Sequence, residues 1–183
     1  MNKIDVFVPT LNRVDYLKYT LNSILSQTYI HFNIYVLDNN SNDGTEEYVK
    51  SILDDRIIYL KSDNKLTLQE NWGRINSLVK SDYFIRIDDD NIIEKDFFQQ
   101  SLKLLRDHNL DAVTWNHQII NSENNSKLMF KQEDRCHILK SHELFYFTFN
   151  NLIDSNYTLY KNKSISKIIN QGIYSSLLPD RYL

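Results

Sequence analysis

The stretch YFIRIDDDNII, residues 83–93, runs from an apolar and aromatic segment straight into three successive carboxylates, Asp88, Asp89 and Asp90. A short run rich in β-branched and aromatic residues reads as a buried strand. Like charges packed at its end repel one another, and desolvating them is costly unless something positive sits among them. Two readings follow. Either the three are solvated loop residues leading through Glu94 and Asp96 into the next helix, or they hold a cation. Hard divalent ions such as Mg2+ and Mn2+ take oxygen ligands, commonly one or two carboxylates plus substrate phosphates. In an extended segment, Asp88 and Asp90 point one way and converge while Asp89 turns aside.

Outward from this stretch, strands and helices alternate. IDVFVP (4–9) is an apolar run ended by Pro9, and DYLKYTLNSILS (15–26) places Leu17, Leu21, Ile24 and Leu25 at helical spacing with Asp15 as its cap. FNIYVLD (32–38) is a second strand, NNSNDGT a turn, and TEEYVKSIL (45–53) a helix with acidic residues in its first turn. RIIYLK, LQENWGRINSLVK, DYFIRID, KDFFQQSLKLLRDH and DAVTWNH continue as strand, helix, strand, helix and strand. This order predicts one α/β domain with a mostly parallel central sheet flanked by helices. Ligands of such sheets bind at the carboxyl ends of the strands.

Composition narrows the function classes. The chain has 183 residues, 42% of them hydrophobic and 25% charged, which is globular and long enough for a real core. A net charge of −3 with scattered basic residues offers no electrostatic footprint for nucleic acid. The single cysteine, Cys136, rules out an intrachain disulfide and fits a reducing compartment. MNKIDVFVPT lacks the apolar stretch of a signal peptide, so the expected location is the cytoplasm, with peripheral attachment at the inner face of the membrane through further segments. With three glycines there is no G-x-G-x-x-G loop and no P-loop, and a glycine-rich nucleotidyltransferase loop after the first strand is also missing.

Three polar clusters fall at strand ends. In VPTLNR, Thr10 and Asn12 offer hydrogen-bonding groups and Arg13 a cation beside a helix start. In LDNNSNDGT, a carboxylate at Asp38 can accept hydrogen bonds from a base N–H or a ribose hydroxyl, although such Asn/Asp/Gly turns are also common without any ligand. The third is IDDDN. One fold rule sets all three on one edge.

FVPTLNR, LDNNSNDGT one βα unit later and NWGRINSLVKSDYFIRIDDDN together resemble the family 2 glycosyltransferases of GT-A fold. That resemblance implies an inverting, metal-assisted transfer of sugar from a nucleoside diphosphate sugar, most simply a UDP-sugar, to a glycan or glycoconjugate. It implies that Thr10 and Asp38 contact the base, and that Arg74 lies near a base- or phosphate-contacting position. It implies a Mn2+ or Mg2+ ion on Asp90, with Asp88 as a second ligand and Asp88 or Asp89 nearer the ribose, while Asp43 plays a structural part. Residues 1–91 would form the nucleotide-binding half and 92–183 the start of the acceptor half of one catalytic domain that continues beyond this sequence. The family's catalytic base is an Asp near a late helix start, and in QGIYSSLLPDRYL the matching residue is Asp180, with Pro179 before it where the family more often has an acidic residue or glycine. The alternative is a nucleotide-sugar-binding domain without catalysis, either a regulatory remnant or an inactive fragment of a longer glycosyltransferase. His117, at the end of the fifth strand, reads as a partly buried structural residue with a place in the cleft as its alternative. His137 and His142 show no ligand spacing for zinc, and ELFYFTFNN reads as a core helix rather than a sugar platform.

Overall fold

The computed structural model describes residues 2–115, 118–120, 126–128 and 158–163. Alternation along the chain gives β1 (Ile4–Thr10), α1 (Val14–Leu25), β2 (Phe32–Asp38), α2 (Thr45–Ser51), β3 (Ile57–Lys61), α3 (Leu68–Leu78), β4 (Tyr83–Arg86), α4 (Phe97–Asp107) and β5 (Ala112–Thr114). β6 (Gln118–Ile120) and β7 (Ser126–Leu128) pair with each other, and β8 (Thr158–Lys161) joins the main sheet. That sheet has the order β3-β2-β1-β4-β8-β5. β1 is parallel to both β2 and β4, β2 is parallel to β3, and β8 runs antiparallel between β4 and β5. The sheet is therefore mixed, and the antiparallel β8 is the element that the strand pattern did not announce.

The period of two in each strand sorts the core into two layers. Ile4, Val6, Val8, Ile34, Val36 and Ile85 face α1 and α4, where Leu17, Leu21, Ile24, Phe98, Leu102 and Leu105 are buried. Phe7, Tyr35, Leu37 and Phe84 face the other side and pack with Ile75 of α3. Each such side chain contributes roughly 1.5–3 kcal/mol on burial.

Helix starts are anchored in different ways. α3 opens with a capping box in which Thr67 Oγ1 accepts from Glu70 N and the Glu70 carboxylate accepts from Thr67 N. α1 begins at Val14 without a cap from Asp15. Its first N–H is donated instead to Asp43 Oδ2 at 2.8 Å, from a loop 29 residues away. Gln27 ties the end of α1 to the start of α4, its amide donating to Glu94 O and accepting from Phe98 N.

Candidate nucleotide-sugar site

All four parallel strands end on the same edge, and the register sets Thr10 beside Asp38. The strand order reverses between β1 and β4, which opens a crevice at their carboxyl ends. Phe7 pairs with Arg86 across that boundary, so continuing both chains by three residues brings Thr10 level with Asp89. Thr10 Oγ1 donates to Asp89 Oδ2 at 2.8 Å.

The acidic run does not stay extended. β4 ends at Arg86, and a turn closes when Asn91 N donates to Asp88 O. Alternation stops there, and the three carboxylates part. Asp89, expected to turn aside, is the buried one, held by Thr10 and by Arg13 Nη1 at 3.2 Å. Burial drives its pKa up to about 6, with Thr10 and Arg13 pulling the other way and the Asp90 and Asp88 charges adding to the rise. Asp90 faces outward with 41% of its side chain exposed and takes a 2.7 Å bond from Arg13 Nη2. Asp88 Oδ1 lies 3.2 Å from Arg86 Nε, and the Arg86 guanidinium stacks 3.8 Å from the Trp72 ring centroid.

Asp38 is fully buried at the end of β2. Its Oδ1 accepts from Ser41 N at 2.9 Å and Ser41 Oγ at 2.6 Å, and its Oδ2 accepts from the Tyr59 hydroxyl. Burial, followed by the bond to Asp38, pushes the Tyr59 phenol well above its ordinary pKa, so it remains a donor. The carboxylate is thus enclosed, and a base N–H reaches Oδ2 only when Tyr59 yields. Arg74 clamps α3 to this corner, donating to Leu60 O at 2.6 Å, to Asn71 Oδ1 at 2.9 Å and to Asp38 O at 3.4 Å. Asn12 takes the left-handed conformation, φ 52°, which Asn tolerates better than most residues. Its N–H donates to Ser41 Oγ and its Oδ1 accepts from Asn42 N, which locks the first polar loop onto the second.

Asp43 serves both loops. Burial raises its pKa, but bonds from Thr45 Oγ1, Val14 N and Thr45 N outweigh this and hold the carboxyl below its usual range. Thr10, Asn12, Arg13, Asp38, Arg74 and the three aspartates are therefore gathered on one edge. Asp180 lies outside the described residues, as do His117, Cys136, His137, His142 and the segment ELFYFTFNN. Ser41, Tyr59, Trp72 and Arg86 were not singled out from the sequence. Only the three-residue spacing from Asp38 to Ser41, an Asx-type turn signal, pointed to one of them.

The model of the family described as "Glycosyl transferase family 2" matches residues 5–169. The chain belongs to glycosyl transferase family 2. Its fold is GT-A: it superposes on S. aureus TarS (residues 1–349, in complex with UDP-GlcNAc) with a TM-score of 0.69 at 20% identity, covering 87% of this chain and 45% of that one. It also superposes on the mannosyltransferase PcManGT from Pyrobaculum calidifontis, in complex with GDP-Man and Mn2+, with a TM-score of 0.63 at 14% identity, covering 91% and 46%. In sequence it is 33% identical over 123 residues to glycosyltransferase GlyA of Streptococcus pneumoniae, which is 66% of this chain and 17% of GlyA. The chain thus spans less than half the length of each of these relatives.

The carboxylates of Asp88 and Asp90 are hard oxygen donors of the kind that Mg2+ or Mn2+ accepts. Among the described residues no three His, Cys, Asp or Glu side chains are grouped as a cage. An exposed hard oxygen donor at Asp90, with further positions left to donor phosphates, is nonetheless the arrangement such ions accept. Among the described residues no helix is long and apolar enough to cross a membrane.

Proposed function

We propose that this chain carries the donor site of an inverting, metal-dependent glycosyltransferase that takes a UDP-sugar and glycosylates a glycan or glycoconjugate. The convergence of Thr10, Asp38 and Asp88–Asp90 at the crevice between β1 and β4 carries this reading. Asp38 is an acceptor whose Oδ2 holds the Tyr59 hydroxyl, and once that hydroxyl yields it matches a base that presents an N–H, as uracil does at N3. Asp88, held by Arg86, or Asp89 would lie nearer the ribose, and Arg74 and Arg13 would supply positive charge to the base and diphosphate. Asp90 would hold Mn2+ or Mg2+, with Asp88 the other candidate ligand, and the bound ion offsets charge on the departing nucleoside diphosphate. Asp180 would take the acceptor hydroxyl's proton as that oxygen attacks the anomeric carbon and the bond to the diphosphate breaks on the opposite face. The single cysteine agrees with a cytoplasmic protein, with peripheral attachment at the inner face of the membrane through further segments.

The test is calorimetric titration with UDP and GDP, each with and without Mn2+, on the chain and on Asp90→Ala. Micromolar UDP binding that needs Mn2+, and loses that need in the folded variant, is the expected result. Unchanged Mn2+-dependent binding in Asp90→Ala removes the metal assignment. Because the chain spans 17% of GlyA, donor binding without transfer by this chain alone would favour the alternative, a nucleotide-sugar-binding domain without catalysis.

A further inference from the structure

Among the described residues, two arginines pair with the acidic edge, and they are built differently. Arg86 is mostly buried, pressed on the Trp72 indole and paired with Asp88. Moving it would break a stacked contact and expose a desolvated pair. Arg13 comes from the loop before α1, has 42% of its side chain exposed and spans Asp89 and Asp90 with two nitrogens. Its guanidinium lies 5.0 Å from the Tyr16 ring, a residue that is itself exposed. Asp89 keeps its bond from Thr10 whatever Arg13 does, whereas Asp90 is the outermost carboxylate and the one Arg13 holds most closely.

We propose that Arg13 is an exchangeable counter-ion, which neutralises Asp89 and Asp90 before the donor arrives and cedes Asp90 to the divalent cation that arrives with it. The inference rests on the donor-site reading above. A tethered guanidinium 2.7 Å from Asp90 Oδ2 takes up a lone pair there, and a second cation on the same carboxylate is repelled by it. A cation alone therefore competes with a positive neighbour that is always present. A cation with a diphosphate brings anionic oxygens to which the displaced guanidinium can move, making new charge-assisted bonds. Cation and nucleotide then favour one another's binding by the same factor. Arg86 stays in place throughout, so Asp88 keeps its position while Asp90 changes partner.

Mn2+ binding, followed by the electron spin resonance of the free ion, separates the outcomes. It is measured without and with UDP on the wild type, Arg13→Gln and Arg13→Lys, with folding checked by circular dichroism. In the wild type, Mn2+ alone should bind weakly, and UDP should tighten it more than tenfold, as expected where the two ligands are strongly coupled. Arg13→Gln should bind Mn2+ alone roughly tenfold more tightly, the scale set by removing one unit charge a few ångströms away in a half-exposed site. It should also bind UDP more weakly at saturating Mn2+, so that the coupling collapses. Arg13→Lys, a point charge unable to bridge both carboxylates, should fall between the two, and it decides the matter if the Gln variant does not fold. If the wild type binds UDP with Mn2+ but neither variant binds Mn2+ alone more tightly, the exchange is wrong and the donor site stands. If the wild type binds no UDP under either condition, the donor-site reading falls and takes the exchange with it.

Discussion

Asp43→Ala removes a carboxylate that holds the first turns of two helices at once. Val14 N donates to it at 2.8 Å, Thr45 N at 3.2 Å and Thr45 Oγ1 at 2.6 Å. Loss of a good acceptor at a helix start costs about 1 kcal/mol, and here two starts lose it together, so roughly 2–3 kcal/mol is expected. That is a large share of the ~5–15 kcal/mol that a domain commands. Urea unfolding at pH 7 should show a lower midpoint with an unchanged slope. Asp43→Asn keeps one acceptor oxygen and should lose about half as much. The pH dependence has a definite sign. The folded-state pKa lies below the unfolded value, so the stabilisation is present above about pH 4 and fades as pH falls through the folded pKa. The Asn variant should therefore have a flatter acid limb than the wild type. An Ala variant within about 0.5 kcal/mol of the wild type would refute the anchoring argument. Loss of UDP binding without loss of stability would turn Asp43 into a ligand contact.

Tyr59→Phe should cost about 1 kcal/mol of stability by deleting the donor to Asp38, yet raise UDP affinity several-fold, because Oδ2 is then open to the base; weaker UDP binding in calorimetry would show that the hydroxyl helps the ligand. Phe98→Ala should lower stability by roughly 3–5 kcal/mol in the same urea assay, since its ring is fully buried against Phe32 and Phe97; a change under about 1 kcal/mol would mean that α4 is not docked as described. In a protein extended to the length of its relatives, Asp180→Asn should bind donor as the wild type does and lose transfer, and retained transfer in a radiolabel assay moves the base elsewhere.

The α/β alternation, the nine leading elements and the gathering of polar clusters on one edge were legible because each rests on local pattern. Ile4, Val6 and Val8 alternate with Asp5 and Phe7, and Leu17, Leu21 and Ile24 recur at helical spacing, whatever their distant partners. β8 was not legible: four residues, TLYK, carry too little periodicity, and their place between β4 and β5 is set by pairing with strands over forty residues earlier. The cap of α1 was misplaced on Asp15 for a related reason. A local cap is the default expectation, but here Asp43 reaches the same N–H from the neighbouring loop.

Within the site the division runs between identity and partnership. The order of residues determined by itself that oxygen-rich side chains stand at the ends of β1, β2 and β4, and that those ends share an edge. Only the tertiary structure decided which carboxylate does what. A turn after Asp88 breaks the alternation, buries Asp89 against Thr10, leaves Asp90 to Arg13 and gives Asp88 to Arg86, which itself stacks on Trp72. Three neighbouring aspartates are the same residue type in a local reading. Asp89 and Asp90 take their burial and counter-charge from Thr10 at the end of β1 and Arg13 in the loop after it, far away along the chain, while Asp88 is paired with Arg86 of its own strand, which Trp72 of α3 holds in place.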